Sequence, residues 1–437
     1  MKVLKFGGTS VGSAERMKEV AKLVCEDGAQ KIVVLSAMSG TTNSLVEISD
    51  YLYKKNPTGA LELINKLEQK YYTVVNELYA NDEYKAKGNE IIKTNFNDLR
   101  TFTKTTFTNF EEKSVLAFGE LISTAMVNNY LLEIGIQSAL LPALDYMRID
   151  KDEEPDMAFI GENLKTLLAK TGEKQIYITQ GFICKNAYDE VDNLKRGGSD
   201  YTASIVGAAI LAEEIQIWTD IDGMHNNDPR FVENTKPIPY LHFEEAAELA
   251  YFGAKILHPT CILPAKLHNI PVRLLNTMEP TAHGTTISNE CRQGEIEAIA
   301  AKDNIISIKI KSGRMLLAYG FLRKVFEIFE SYKTPIDMIT TSEVGVSVTI
   351  DNPKHLPEIV AALKEFGTVS VEEDMVIICV VGDLMHESVG FQAKIVGALK
   401  DVPVRMISYG GSNYNISFLV KADDKVKALQ ALSANLF

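Results

Sequence analysis

The chain has 437 residues, too many for one ordinary hydrophobic core, so two or three domains are expected. Its 46% apolar and 24% charged content is globular, and a net charge of −13 without a Lys/Arg block argues against a nucleic-acid binder while leaving room for ATP, which needs only a few local cations. The five cysteines form no CxxC and the seven histidines no HxxxH or HExxH, so neither a disulfide framework nor a metal-ligand set is expected.

The N-terminus runs into "KVLKFGG" without a signal-type apolar region, and no run approaches transmembrane length. We therefore expect a cytoplasmic protein with no membrane partner. "KVLKF" (2–6) reads as a strand, followed by a helix from about Ser13 with Met17, Val20, Ala21 and Val24 on one face. "KIVVLSA" (31–37) is continuously apolar, as buried parallel strands are. Residues 45–135 read as mostly helical, broken at "KNPTG" and over the polar stretch 87–108. Strands follow at "SALLPA" (138–143), "QIYITQGFI" (175–183) and "IQIWTDI" (215–221), the last preceded by a helix with Ala203, Val206, Ala209 and Ile210 inside. A helix over 243–257 and a strand over 270–277 complete an α/β pattern that predicts a mostly parallel sheet covered on both faces. The polar stretch 279–295 reads as the exit from this domain.

From there the unit changes. "IISIKI" (305–310), a helix over 320–333, "IDMITTS", "VGVSVTI", a helix over 355–367 and "TVSVEED" make βαββαβ, and the pattern restarts at "MVIICVVG" (375–382). The second copy ends one strand short, which would leave sheet-edge backbone groups unpaired. The apolar "EIEAIAA" (295–301) is expected to fill that place. The expected division is a catalytic domain over 1–294, a first module over 303–374, and a second over 295–302 plus 375–437.

In an open parallel sheet, ligands bind beyond the carboxyl ends of the strands. The strand ends here carry Lys5, Gly7, Gly8 and Thr9; Ser36 and "MSGTTN" with Thr42; Gln180 and Gly181; and Thr219, Asp220 and a loop to Arg230. The glycines let backbone N–H groups approach phosphate oxygens, the helix after Ser13 adds a partial positive end, and Lys5 supplies a full charge. Read alone, Lys5 is a strand-end lysine reaching solvent. In "KRGGSDYTA" (195–203), Arg196 can grip a carboxylate and Ser199 or Asp200 sits at a helix N-cap position; a capped helix beside a surface arginine fits the same residues. Glu120 lies among apolar residues and needs a partner, a substrate ammonium or a structural cation. Lys255 is a second phosphate lysine or a solvated helix residue. These residues point to a phosphotransferase with an anionic acceptor.

"KFGGTSV" (5–11), "VLSAMSGTTN" (34–43), "GEL" (119–121), "TQGFI" (179–183), "RGGSDYTA" (196–203), "WTDIDG" (218–223), "NDPR" (227–230), "FGAKILHP" (252–259), "ITTSEV" (339–344) and the closing "SANLF" resemble aspartate kinase, more closely its monofunctional, lysine-sensitive type. The resemblance covers essentially the whole chain. It implies a three-layer αβα amino-acid kinase domain followed by two ferredoxin-like βαββαβ ACT modules. It also implies ATP-dependent formation of 4-phospho-L-aspartate with Mg²⁺, opening the route to lysine, methionine and threonine. It places Lys5, Phe6, Gly7, Gly8, Thr219, Asp220, His225, Arg230, Lys255 and Ile256 on the nucleotide. It places Ser36, Thr42, Glu120, Arg196, Gly197, Gly198 and Ser199 on aspartate, with Lys5, Asp200 and Lys255 as catalytic residues. His225 stands where relatives often have tyrosine.

The effector site implied by the resemblance comprises Met315, Leu316, Leu317, Ala318, Phe321, Leu322, Pro335, Ile336, Asp337, Ser342 and Glu343, at an interface between ACT modules of a homodimer or larger homo-oligomer. Asp337 and Glu343 would meet the charged groups of lysine. Leu317 and Ala318 replace a His–Ser pair of relatives, so threonine, alone or with lysine, stays open as effector. The end at Phe437 leads us to expect no dehydrogenase domain. Two other readings stand beside this one: a kinase of the same fold acting on glutamate or acetylglutamate, and an amino-acid sensor with an inactive kinase domain. Lys5 and Asp200, both present, speak against the sensor. A nucleotide-binding dehydrogenase is disfavoured, because no GxGxxG follows a strand in the first domain.

Overall fold

The computed structural model describes residues 1–194, 197–253, 257–290, 296–312, 319–383 and 389–437. In chain order the elements are β1 (Lys2–Phe6), α1 (Ala14–Cys25), β2 (Lys31–Leu35), α2 (Thr41–Tyr53), α3 (Pro57–Leu78), α4 (Asp82–Thr101), α5 (Asn109–Glu133), β3 (Ser138–Leu141), α6 (Met157–Thr171), β4 (Ile176–Gln180), β5 (Ile183–Lys185), β6 (Val191–Asn193), α7 (Gly198–Ile210) and β7 (Ile215–Thr219). There follow β8 (Tyr240–His242), α8 (Phe243–Tyr251), α9 (Pro259–Leu267), β9 (Val272–Asn276) and β10 (Thr285–Ser288). The last part comprises β11 (Ile296–Lys311), α10 (Phe321–Ser331), β12 (Ile339–Ser342), β13 (Gly345–Ile350), α11 (Leu356–Lys364), β14 (Thr368–Gly382), α12 (Phe391–Ala398), β15 (Met406–Tyr409), β16 (Asn415–Lys421) and α13 (Lys425–Leu436). The chain forms two compact units, Met1–Gly223 with Leu257–Asn289, and Met224–Ile256 with Glu290–Phe437.

In the first unit the strand order is β3-β4-β2-β1-β7-β9-β10. Every pair is parallel except β9 with β10. The continuous apolar run of β2 is buried at all five positions, as a central strand between two helical layers requires. Ser13 caps α1, whose Met17, Val20, Ala21 and Val24 all face the core.

Three expectations are corrected here. The polar stretch 87–108 is not a break but mostly α4. Its few apolar residues fall at helical spacing, with Gly88, Ile92, Phe96 and Leu99 as the buried stripe, Tyr84 and Ile91 packed partly buried against the same core, and most other positions solvated. The exit segment contains β10, where β-branched Thr285 and Ile287 are fully buried against β9. Finally, α5 is long and apolar enough by length and composition to cross a bilayer. It reaches that hydropathy with small and hydroxyl residues mixed among the apolar ones, and it is a core helix, burying Val115, Phe118, Ile122, Met126 and Leu131.

In the second unit the order is β12-β13-β11-β14-β16-β15, all antiparallel. β11 and β14 each run through both βαββαβ copies. Ile305–Lys311 pairs with β13 and with the first half of β14, whereas Ile296–Lys302 pairs with Ile377–Gly382. The register breaks between Lys302 and Ile305, beside Asn304 and Asp374 at positive φ, and this irregularity separates the copies. Each copy has its own core. Val325, Phe329, Val346 and Leu363 belong to the first, and Ile378, Val380, Phe418 and Leu429 to the second.

The segment Met224–Ile256 packs with this second unit, although chain order alone groups it with the strand–helix alternation before it. Val232 is buried in the core of the second copy, Asn227 Nδ2 donates to the Leu429 carbonyl at 3.3 Å, and the Ile299 N–H donates to the Asn226 carbonyl at 2.9 Å. The helix expected over 243–257 stops at Tyr251. Gly253 follows at φ +127°, and a side chain there would collide with the Ala301 carbonyl.

Candidate active site

The parallel register aligns the carboxyl ends of the central strands. Phe6 lies beside Leu35 and Trp218, Leu35 beside Gln180, and Thr219 beside Asn276. The loops that leave these ends therefore meet at one edge of the sheet.

Lys5, the penultimate residue of β1, reaches Asp200 in the first turn of α7, with Nζ 2.6 Å from Oδ1. Both side chains are largely shielded, 12% and 15% exposed. Gly7 borders this ammonium, and a Cβ there would lie 3.6 Å from Nζ, an ordinary van der Waals contact. Gly8 permits a closer approach: a Cβ would stand 2.8 Å from the Ala37 carbonyl, so only glycine lets the first loop meet the second.

The second loop passes from β2 into α2. Ser39 N–H donates to the Gly8 carbonyl at 3.1 Å, and Gly40 at φ +80° is the N-cap of α2. Ser36 Oγ donates to Ser199 Oγ at 3.0 Å. Gly181 makes that contact feasible, because a Cβ there would overlap the Ser199 side chain. The sequence places the N-cap of α7 at Ser199 or Asp200; the structure places it at Gly197, φ +68°, which leaves the Ser199 and Asp200 side chains to pair with Ser36 and Lys5 instead of capping the helix.

Glu120 comes from the middle of α5 and is 4% exposed. Oε1 accepts the Ala37 N–H at 3.1 Å, while Oε2 is buried with no hydrogen-bond partner among the described residues. Burial pushes the Glu120 carboxyl up to about 7, an effect partly offset by the Ala37 N–H. A cavity of about 430 Å³ opens at this point, lined among others by Gly8, Ser36, Thr42, Glu120, Gly198 and Ser199. The N-termini of α2 and α7 both contribute to its wall, and each carries free N–H groups and a partial positive charge suited to a carboxylate or phosphate.

Thr219 and Asp220 end β7, joined by a hydrogen bond from Thr219 Oγ1 to Asp220 Oδ1 at 3.1 Å. Phe6 stacks on Trp218 beneath them, ring centroids 5.7 Å apart. His225 and Arg230 belong to the second unit. There His225 Nδ1 lies 2.9 Å from Thr235 Oγ1, and the exposed Arg230 pairs with Asp228 at 2.6 Å. Arg196, Lys255 and Ile256 lie outside the described residues, as do Met315, Leu316, Leu317 and Ala318. The sequence reading missed Phe182, which lines the cavity at φ +69° and lies 2.5 Å from the position of a Cβ on Gly198. A bulky residue at positive φ leaves no sequence signal.

Among the described residues no group of three or more His, Cys, Asp or Glu could hold a metal ion, and no histidine lines the cavity. The site combines one fixed ammonium, two helix N-termini and one buried carboxyl. That set can align and neutralise anions.

Comparison with known proteins agrees with this architecture. Residues 1–276 match the amino acid kinase family and residues 378–436 match the ACT domain. Lysine-sensitive aspartokinase 3 of Escherichia coli is 32% identical over 447 residues, covering 100% of this chain and 99% of that protein. The crystal structure of E. coli aspartokinase III with aspartate and ADP, an R-state, superposes with a TM-score of 0.85 at 32% identity over 100% of both chains. That of the same enzyme with lysine and aspartate, a T-state, gives 0.82 at 33% identity over 100% of this chain and 99% of that one. The fold and site thus define an amino-acid kinase with ACT modules. Within that class, the chain belongs to the aspartokinase family.

The raised carboxyl of Glu120 gives a direct test. Its neutral form is favoured in the folded state, so the unliganded protein loses stability as pH rises from the ordinary carboxyl value of 4.5 to about 7, with no further loss above that. Glu120→Gln cannot ionise. Its melting temperature should therefore fall less than that of the wild type between about pH 5 and about pH 7. Parallel curves would contradict the assignment.

Proposed function

We propose that the chain transfers the terminal phosphoryl group of ATP to the side-chain carboxylate of L-aspartate, giving ADP and 4-phospho-L-aspartate, the first step towards lysine, methionine and threonine. The carrying observation is the cavity in which Glu120 Oε2, without a partner among the described residues, and two helix N-termini converge, beside the Lys5–Asp200 pair. An α-amino dicarboxylate matches it group by group. Its ammonium pairs with Glu120, one carboxylate takes the N-terminus of α2 at Thr42, and the other lies near Ser199 and Lys5.

The acceptor carboxylate is already ionised at neutral pH, so the reaction needs no general base. Catalysis then reduces to alignment and charge stabilisation, the work this site is equipped for. Lys5 stabilises charge on the transferring group, and Asp200 holds Lys5 in place. The donor set fits a Mg²⁺ that arrives on the nucleotide phosphates, with Asp200 and Asp220 as the acidic residues at this edge, rather than one caged by side chains. When bound, the metal would neutralise phosphate charge. The E. coli relative bound to aspartate and ADP supports the choice of substrates.

The test is an assay with Mg²⁺-ATP in which hydroxylamine traps the acyl phosphate. Aspartate should turn over well ahead of glutamate, and its KM should fall as pH rises through about 7, because a protonated Glu120 must ionise to hold the ammonium. No turnover on aspartate would refute the reading. One methylene is worth only about 1–3 kcal/mol in a pocket. Equal turnover of glutamate would therefore favour the broader acceptor class.

The reading extends to feedback inhibition by an amino acid at the ACT modules of a homo-oligomer, with lysine favoured by the lysine-bound relative. Of the expected effector residues, Phe321 is buried at the start of α10, Leu322, Pro335, Ser342 and Glu343 are exposed, and Ile336 is partly so. Asp337 is not a free carboxylate. Its side chain is 2% exposed, and Oδ1 accepts from Lys302 Nζ at 2.6 Å and from the Tyr251 hydroxyl at 2.8 Å, while Oδ2 is buried without a partner among the described residues.

An incoming ammonium would thus compete with Lys302. Lys302→Met should lower the lysine concentration for half-inhibition by about tenfold, the worth of one charge-assisted hydrogen bond. Asp337→Asn and Glu343→Ala should raise it. Unchanged inhibition in all three would place the effector elsewhere.

A further inference from the structure

α3 lies away from the sheet edge, yet two consecutive side chains on it reach the loop between β2 and α2. Lys70 Nζ, on an exposed side chain, donates to the Ser39 carbonyl at 2.9 Å. The Tyr71 hydroxyl and Thr41 Oγ1 share a hydrogen bond of 2.9 Å, and both residues are buried. Between the two contacts stands Gly40 at φ +80°. From the other side, the Ser39 N–H is held by the Gly8 carbonyl at 3.1 Å. The three residues Ser39, Gly40 and Thr41 are thus gripped from both sides, by the glycine turn after β1 and by α3.

This loop forms one wall of the cavity, through Met38, Ser39, Gly40, Thr42 and Asn43. It also sets the direction of the free N–H groups at the start of α2. Such groups bind a carboxylate well only when their direction is fixed before the ligand arrives. The Lys70 ammonium adds polarisation, because it pulls on the carbonyl of the Ser39–Gly40 peptide at this same helix start.

We propose that Lys70 and Tyr71 are positioning residues for the acceptor. They hold the Ser39–Thr41 loop so that the N-terminus of α2 grips the acceptor carboxylate, and they set acceptor affinity without touching acceptor or nucleotide. The proposal rests on the reading of this cavity as the acceptor site. It distinguishes two classes of effect. A merely structural tether would change stability and both substrates alike, whereas a positioning contact acts on the acceptor alone.

The test uses Lys70→Met, Lys70→Arg and Tyr71→Phe in the full chain. Lys70 is exposed, so its loss leaves no buried charge and the variant should fold and melt like the wild type. Lys70→Met should raise the aspartate KM about tenfold, with kcat and ATP KM within about twofold, and Lys70→Arg should restore it. Tyr71→Phe should move the same constant in the same direction. An unchanged aspartate KM, or an equal rise for ATP, overturns the proposal. Amide hydrogen exchange over residues 39–43 reads the same contact without turnover. Lys70→Met should speed exchange there, and unchanged exchange overturns the proposal even if aspartate is not the acceptor. Failure of the wild type on aspartate would count against the functional reading alone.

Discussion

An ammonium and a carboxylate 2.6 Å apart, both nearly removed from solvent, organise the catalytic unit: Lys5 from the centre of the sheet and Asp200 from the first turn of α7. Shielding two charges costs about what their attraction returns, so such a pair is weak evidence of a stability device. Its value lies in position. The pair pins a positive charge at the carboxyl edge of the sheet, on a strand flanked by two parallel neighbours, where it cannot drift. Removing either partner would leave the other charge shielded and uncompensated.

The rest of the site follows from bringing four loops to that pair. Parallel strands deliver their carboxyl ends together, and the loops can then touch only where side chains are absent. Gly8 meets the Ala37 carbonyl, and Gly181 makes room for Ser199. Gly40 and Gly197 start two helices from a left-handed conformation, so the first turns of α2 and α7 keep N–H groups free on the cavity side. Glu120 is the complement: a carboxyl whose pKa burial raises to about 7, with one oxygen unpaired among the described residues and suited to a cation.

Much of this was legible in the sequence, and what was not has physical reasons. Lys5 and the glycines after it stand at a strand end in a run read directly as β-structure, and Glu120 stands out as a carboxyl among apolar residues. α4 was hidden because its single buried stripe is diluted by solvated positions, and the strand Thr285–Ser288 was hidden within a polar, turn-rich stretch. The N-cap at Gly197 went unseen because a glycine in a left-handed conformation needs no side-chain cap. The partners of Asp337 were invisible for a different reason. Tyr251 and Lys302 are 86 and 35 residues away in the chain, and spacing says nothing about such contacts. The segment from Met224 was grouped with the strand–helix pattern before it, although Val232 is buried in the core of the second ACT copy.

The most direct measurement of the account is a double-mutant cycle on the central pair: kcat for aspartate phosphorylation in the wild type, Lys5→Met, Asp200→Asn and the double variant. If the two charges act as one unit, each single variant loses about a hundredfold or more and the double loses little beyond the worse single. Losses that multiply would mean that Lys5 and Asp200 work independently, and would contradict the view that their pairing is what fixes the catalytic charge.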